Sequence, residues 1–386
     1  PRFTSPPTRN DAMRPHHGKV ALFTGKNKPL ALAEYPVAAP LAGQALLKLT
    51  CSGICGTDVH IHEGFLGMPE MPLVIGHEFS GTVEQMGSTP MRDGLGTTLA
   101  AGDPVIACVA MPCGQCFNCK RGETASCLAF GVTYVKDAGE TPHFHGGLGE
   151  YLYSPAANLV RVPDGVDPLA AAAFPCGGPT IIRAFAYGGG LEAGELVVIQ
   201  GNGALGLFAL AWAKRQGATV VVVGSEANPE RTALMRALEP DSFLNYRTTP
   251  PETVRKTVAD LAARLGRGDG ADVVIETSGN PQAFPEGLAL VRTRGRYLVP
   301  GQYSNRGPVA IEPQLVTFKA LRIIGAAQYQ LADIGTYLDF LRDHADLQPL
   351  FRSAIKCYPI EAVNEALADA SRGVAIKAAI CCHTHK

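Results

Sequence analysis

The stretch that most constrains this chain is the short apolar run Leu196-Val197-Val198-Ile199-Gln200 followed by Gly201-Asn202-Gly203-Ala204-Leu205-Gly206. The helix-forming LFALAWAKRQG comes next, then a second apolar run, VVVVG, with Glu226 lying 20 residues beyond Gly206. Strand, glycine turn, helix and strand in that order specify a parallel βαβ unit, because parallel neighbours need a crossover. The glycines permit a tight turn and the close approach of a pyrophosphate, and the helix N-terminus offers free N–H groups to its charge. An acid at the end of the second strand is placed to hold adenosine ribose hydroxyls. A bare G-x-G-x-x-G is weak, but the full series is specific. Gly201, Gly203, Ala204, Leu205, Gly206 and Glu226 are therefore read as dinucleotide-binding residues.

A second constellation lies far upstream. Cys55-Gly56-Thr57-Asp58-Val59-His60 and Gly76-His77-Glu78 bring a thiol, imidazoles and carboxylates into 24 positions. Thiolate and imidazole are zinc ligands, and a catalytic zinc needs about three protein ligands and one open position. Asp58 suits the role of acceptor for the ring N–H of a ligating histidine. Thr57 and His60 can move a proton outward to water. Any one of these residues alone reads as an ordinary buried cysteine or surface histidine.

Cys113, Cys116, Cys119 and Cys127 follow at the spacing C-x2-C-x2-C-x7-C. Four thiolates close a tetrahedral site, as a structural zinc requires. An iron–sulfur cluster uses similar runs, but no second set or trailing Cys-Pro accompanies this one. A nucleic-acid-binding ribbon is opposed by the few local cations, Lys120 and Arg121. Cys176, alone in an Ala-rich run at the opening of a helical stretch, gains interest only because the upstream site lacks a third ligand.

At 386 residues the chain is too long for one ordinary core, and two domains are expected. With 46% apolar residues, 18% charged residues and a net charge of −1, it has the composition of a globular protein without a basic surface for nucleic acid or anionic lipid. No membrane span or signal peptide is legible, which suggests the cytoplasm. Eleven cysteines in so long a chain, four of them at ligand spacing, point to reduced thiolates rather than disulfides.

Residues 1–17 lack periodicity and read as a flexible extension. KVALF, LALAEY and QALLKLT read as strands, with the Cys55–Glu78 stretch on loops between strands and Ser88 to Gly102 as a surface loop. ADVVIETSG, a helix around FPEGLALV, RYLVPG and LRIIGAA continue the strand–helix alternation of a doubly wound parallel sheet. The segment from Ile334 onward reads as amphipathic helices and a final strand returning to the first domain, ending in a loose HTHK tail.

Together C-G-T-D-x-H, G-H-E, the four-cysteine lobe and G-x-G-x-x-G resemble the zinc-dependent alcohol dehydrogenases of the medium-chain dehydrogenase/reductase superfamily, over about Lys19 to Ala379. The resemblance implies an α/β fold: a GroES-like β-rich catalytic domain (18–177 and 328–386, with the lobe 113–127) interrupted by a Rossmann coenzyme domain (178–327). It implies two Zn2+ per chain, a catalytic one held by Cys55, His77 and Cys176 and a structural one in the lobe. Glu78 then stands behind the catalytic zinc. Gly56 occupies a position where some relatives carry a cation for the coenzyme phosphates, so backbone amides and Lys377 are expected to serve. Glu226, with no arginine directly after it, points to NAD rather than NADP.

The expected reaction is oxidation of a secondary, cyclic or polyol-like alcohol. Zinc acts as a Lewis acid, the proton leaves through Thr57 and His60, and hydride passes to the nicotinamide beside Thr180. Phe65, Leu66 and the Phe144 region are expected to line the substrate site. The expected partners are a small alcohol or carbonyl and further copies of the chain, as a homodimer or homotetramer. The rival readings are an NADP-dependent carbonyl reductase on the same fold and a non-catalytic zinc- and dinucleotide-binding redox sensor.

Overall fold

The computed structural model describes residues 16–382. Residues 1–15 of the expected extension and the terminal HTHK (383–386) lie outside the described residues. The extension also ends earlier than expected, because His17 opens a strand, His17–Leu22, that pairs antiparallel with Ala31–Pro36.

Six parallel strands form one sheet. Their order across it is Ser242–Asn245, Thr219–Gly224, Leu196–Gln200, Ala271–Glu276, Val291–Val299 and Arg322–Gly325. Numbered along the chain this is the order 3-2-1-4-5-6 of a doubly wound nucleotide-binding fold. Leu196–Gln200 and Ala271–Glu276 are buried at every position. Helices cover both faces, which is why these strands read as unbroken apolar runs rather than alternating ones. The strand order reverses between them, so the loops after Gln200 and Glu276 diverge and leave a crevice at their carboxyl ends.

A second, mixed sheet is built around the ten-residue strand Gln44–Gly53, flanked by Glu78–Met86 and by the last strand, Lys377–Cys381. Lys377–Cys381 runs antiparallel to Gln44–Gly53, pairing Ala379 with Gly53 and Cys381 with Cys51. The chain end therefore does return to the sheet built from the first part of the chain, and Lys377 arrives beside Glu78.

Three local expectations are corrected. The stretch after Cys55 is a helix, Gly56–Glu63, not a loop; Asp58 in its first turn bonds back to the Cys55 N–H and so starts it. Within Ser88 to Gly102, Met91–Arg92 and Thr98–Leu99 form a small ladder. Cys357 and Cys381, on neighbouring parallel strands, form a disulfide, while the other nine cysteines are free. Among the described residues, no helix is long and apolar enough to cross a membrane.

Candidate active site

Cys55 lies at the N-terminus of the helix Gly56–Glu63, its N–H donating to Asp58 Oδ2 at 2.9 Å. The other oxygen of the fully buried Asp58 faces His77 Nδ1 at 3.2 Å. Asp58 thus fixes both a thiol and an imidazole, and with Nδ1 donating to it the Nε2 lone pair of His77 is free to ligate. Cys176 caps the helix Gly177–Tyr187, and Thr180 Oγ1 donates to its carbonyl at 2.8 Å. One donor atom each of Cys55, His77, Glu78 and Cys176 lies within 4.8 Å of every other.

The donor set fits zinc. Hydrogen bonding with Cys176 holds the Cys55 thiol well below its ordinary range, against the effect of burial, and the same bond pushes Cys176 well above it. Two half-buried sulfurs sharing a proton beside an imidazole are what a divalent cation would displace that proton from. Glu78 is engaged from behind: Lys377 Nζ donates to both of its oxygens, at 2.7 and 2.6 Å. Burial raises Glu78 to about 7 even against this partner. Gly53 makes the room, because a Cβ there would come within 1.9 Å of Glu78 Oε2. With its ammonium so occupied, Lys377 is not free for the coenzyme phosphate in the way the sequence suggested.

The cluster opens into a cleft of about 370 Å³. Thr57 and His60 line it near the sulfurs, Thr180 is in its wall, and Gly203, Ala204 and Leu205 line its far side. Gly201 has φ +105°, and a Cβ on Gly206 would stand 1.9 Å from the Gly201 carbonyl, so both glycines are required by the turn. Glu226 lies just past its strand and pairs with Arg236 at 2.8 Å. A second cavity of about 540 Å³ beside Gly201 includes Val223, Tyr246 and Ser278.

The guesses at apolar lining are corrected. Phe144 is wholly buried in a separate cluster with Tyr151 and Tyr153. Neither Phe65 nor Leu66 is among the residues lining the cleft; Val109, Val132, Tyr134 and Tyr303 line it instead. A second omission is Arg231, which lines the cleft and is partly buried, with burial lowering its pKa. Its Nη2 donates to the Gly373 carbonyl at 2.8 Å, while its buried Nε has no partner. A Cβ at Gly56 would meet nothing within 4 Å, so a cationic side chain is absent there while space for one remains. The signal for Arg231 was its place five residues after Glu226, in the first turns of the helix Pro229–Ala237.

Away from the cleft, Cys113, Cys116, Cys119 and Cys127 also converge within 4.8 Å. Backbone N–H groups of Leu128 and Cys119 point at Cys116 Sγ, and those of Cys113 and Ala129 at Cys127 Sγ. These donors hold Cys116 down to about 6, a sulfur prepared to be a thiolate.

Comparison with known proteins agrees with this geometry. Residues 41–164 match the alcohol dehydrogenase GroES-like domain and residues 204–343 the zinc-binding dehydrogenase family. The L-threonine 3-dehydrogenase of Pyrococcus horikoshii is 34% identical over 78% of this chain and 81% of its own. The chain belongs to the zinc-dependent medium-chain dehydrogenases. Within that family it is also similar to the 5-exo-hydroxycamphor dehydrogenase of Pseudomonas putida, at 29% identity over 94% of this chain and 98% of that one. An alcohol dehydrogenase of Thermotoga maritima superposes with a TM-score of 0.86 at 28% identity, covering 95% of this chain and 99% of that chain. The dehydrogenase fold thus spans nearly the whole described chain.

Proposed function

We propose that the protein oxidises a neutral secondary, cyclic or polyol-like alcohol to the carbonyl, with hydride transfer to NAD. The observation that carries this reading is that Cys55, His77 and Cys176 line the same cleft as Thr57, His60 and Gly203, Ala204 and Leu205 of the glycine turn. Cys55, His77 and Cys176 would hold a catalytic zinc, with Glu78 behind it, and Cys113, Cys116, Cys119 and Cys127 a structural one. Zinc at the first site supplies Lewis acidity toward an alcohol oxygen, and the nicotinamide supplies the hydride acceptor.

The chain's own groups do the rest. Thr57 takes the hydroxyl proton and His60 passes it to water, a task suited to an imidazole whose pKa is lowered by burial and by Arg306. Asp58 keeps His77 in its ligating tautomer. Thr180 borders the nicotinamide end, and Gly201, Gly203, Ala204, Leu205 and Gly206 admit the pyrophosphate. Arg231, with its unpartnered Nε, supplies the cation that Gly56 and Lys377 do not. Glu226 holds the adenosine ribose. Val109, Val132, Tyr134 and Tyr303 give the cleft an uncharged stretch of wall that suits a neutral substrate, while Glu78 and Lys377 in the same lining are paired with each other. Of the relatives named above, one is a hydroxycamphor dehydrogenase and another a threonine dehydrogenase, and this lining favours the first kind of substrate.

The reading divides the chain into a catalytic part, 18–177 with 328–386, and a coenzyme part, 178–327. It places the protein in the cytoplasm, with no nucleic-acid or membrane partner, as a homodimer or homotetramer. The exposed edge strand Arg322–Gly325 and the nearby Phe318, 81% exposed, suit association through that sheet edge. The test is NAD reduction by a panel of neutral cyclic and acyclic secondary alcohols, polyols and threonine. Turnover of neutral alcohols that is abolished in Cys55→Ala supports the reading. Turnover of threonine alone contradicts the substrate class.

A further inference from the structure

His60 does not stand only among residues of its own helix. Its Nδ1 is 2.8 Å from the hydroxyl of Ser304, a residue 244 positions away in the loop that follows the strand Val291–Val299. That loop belongs to the parallel-sheet side of the cleft, and its neighbours Pro300, Gly301 and Tyr303 line the cleft wall. The helix Gly56–Glu63 belongs to the other side. A second contact runs beside the first: Arg306 lies over the ring of Phe65, 5.6 Å from its centroid, and Phe65 meets His60 edge-on at 6.2 Å. The two contacts form a clasp across the cleft mouth, made of one short loop and one helix end.

We propose that Ser304 is a positioning residue for proton release, holding the His60 ring in its working orientation across the cleft and taking its proton on to solvent. The inference rests on His60 acting as the outward relay group. A hydroxyl both donates and accepts, so Ser304 stays bonded to Nδ1 whether or not that nitrogen carries the proton. Because the ring can pass a proton on through the serine oxygen, and Ser304 is only half-buried, the path reaches water without the imidazole turning. The charged groups facing His60 are Arg306 from the same loop as Ser304, Cys55 at the start of its helix and Glu63 at its end. Among the described residues, Ser304 is the only hydrogen-bond partner of the His60 ring. The arrangement makes proton release depend on the loop being seated, so the relay is complete when the two halves of the molecule are together.

The experiment compares wild type, Ser304→Ala, Ser304→Thr, His60→Gln and the double variant Ser304→Ala/His60→Gln in steady-state alcohol oxidation. Loss of an oriented acid–base partner predicts a kcat lowered about five- to tenfold in Ser304→Ala. The KM for NAD should stay within about twofold, since the interaction is made in turnover and not in coenzyme binding. Ser304→Thr restores kcat, and added imidazole buffer raises kcat of Ser304→Ala but not of wild type. In the His60→Gln background the serine change has no further effect. A wild-type kcat in Ser304→Ala with a lowered one in His60→Gln overturns the serine assignment and leaves the relay. Equal losses from Ser304→Ala in both backgrounds overturn it too, because the serine then acts elsewhere. A wild-type kcat in His60→Gln overturns the relay itself, and the serine assignment with it.

Discussion

Lys377 Nζ sits 2.6–2.7 Å from both carboxylate oxygens of Glu78, joining the last strand to the strand that follows the candidate ligand His77. Both side chains are at most 4% exposed, so each charge depends on the other. Removing one partner of such a pair leaves a buried charge unpaired, which costs about 3–5 kcal/mol. Lys377→Met is predicted to destabilise the fold by about that amount in denaturant titration. It should also raise the Glu78 pKa further and favour its protonated form, since burial then acts on it without the Lys377 charge. An unchanged denaturation midpoint would show that the pair is not structural.

Glu226 and Arg236 form an exposed pair, 2.8 Å apart, where the proposed function puts the adenosine ribose. The carboxylate would repel a 2′-phosphate placed there, and it holds the Arg236 guanidinium. Glu226→Ser should therefore do two things at once: remove the repulsion and release Arg236. We expect the NADP-to-NAD ratio of kcat/KM to rise about 10- to 100-fold, in keeping with the known use of arginine for a 2′-phosphate. The double change Glu226→Ser/Arg236→Ala should lose most of that gain; equal ratios in the two variants would rule out Arg236.

Arg231 has a readout of its own. Arg231→Met removes the unpartnered Nε from the cleft and the bond to Gly373. Coenzyme affinity by fluorescence titration should fall about tenfold or more, the scale of a hydrogen bond to a charged group. Alcohol KM at saturating coenzyme should change little. The converse pattern would move Arg231 to the substrate end.

Acid stability follows from Asp272. This carboxylate is fully buried and accepts from the Leu196 N–H and from Arg267 and Arg292 at 2.7–2.8 Å. Burial alone would raise its pKa, but Arg267, the Leu196 amide and Arg292 outweigh it and lower the value. A carboxylate with a depressed folded pKa stabilises fully above the unfolded value of about 3.9 and loses that contribution as pH falls through the folded one. Asp272→Asn should cost about 2–3 kcal/mol at neutral pH and have a flatter stability curve below about pH 4. Parallel curves for the two proteins would contradict this.

Much of this was legible in the chain before folding. The nucleotide-binding turn is contiguous, and its glycines are demanded by local backbone geometry, so Gly201 to Gly206 announce themselves. The four-cysteine set shows by its spacing and Cys55, His77 and Glu78 by their clustering, whereas Cys176 entered only through the resemblance; Asp58 shows by standing three residues from the thiol whose amide it caps. What escaped was fixed by long-range packing. Arg231 and Ser304 matter only because a helix and a loop of the parallel-sheet part meet the other half of the molecule. Val132, in the two-residue strand Gly131–Val132, and Tyr134 just past it reach the cleft along a path no periodicity encodes, while Phe144, apolar and nearby in sequence, is drawn into a different core. Lys377 was placed near the site by resemblance, but its partner depended on the final strand entering beside Gln44–Gly53. The Cys357–Cys381 bond likewise needed two strands to become neighbours.

The central claim is that one cleft joins a metal-assisted alcohol site to a nicotinamide coenzyme. The most direct measurement is reduction of NAD by a neutral cyclic secondary alcohol, on protein whose zinc content is determined before and after chelation. The account predicts two zinc ions per chain, turnover in the loaded enzyme and loss of turnover when the more labile zinc is removed, with recovery on its return. Turnover that persists at full rate after both zinc ions have been removed would contradict it.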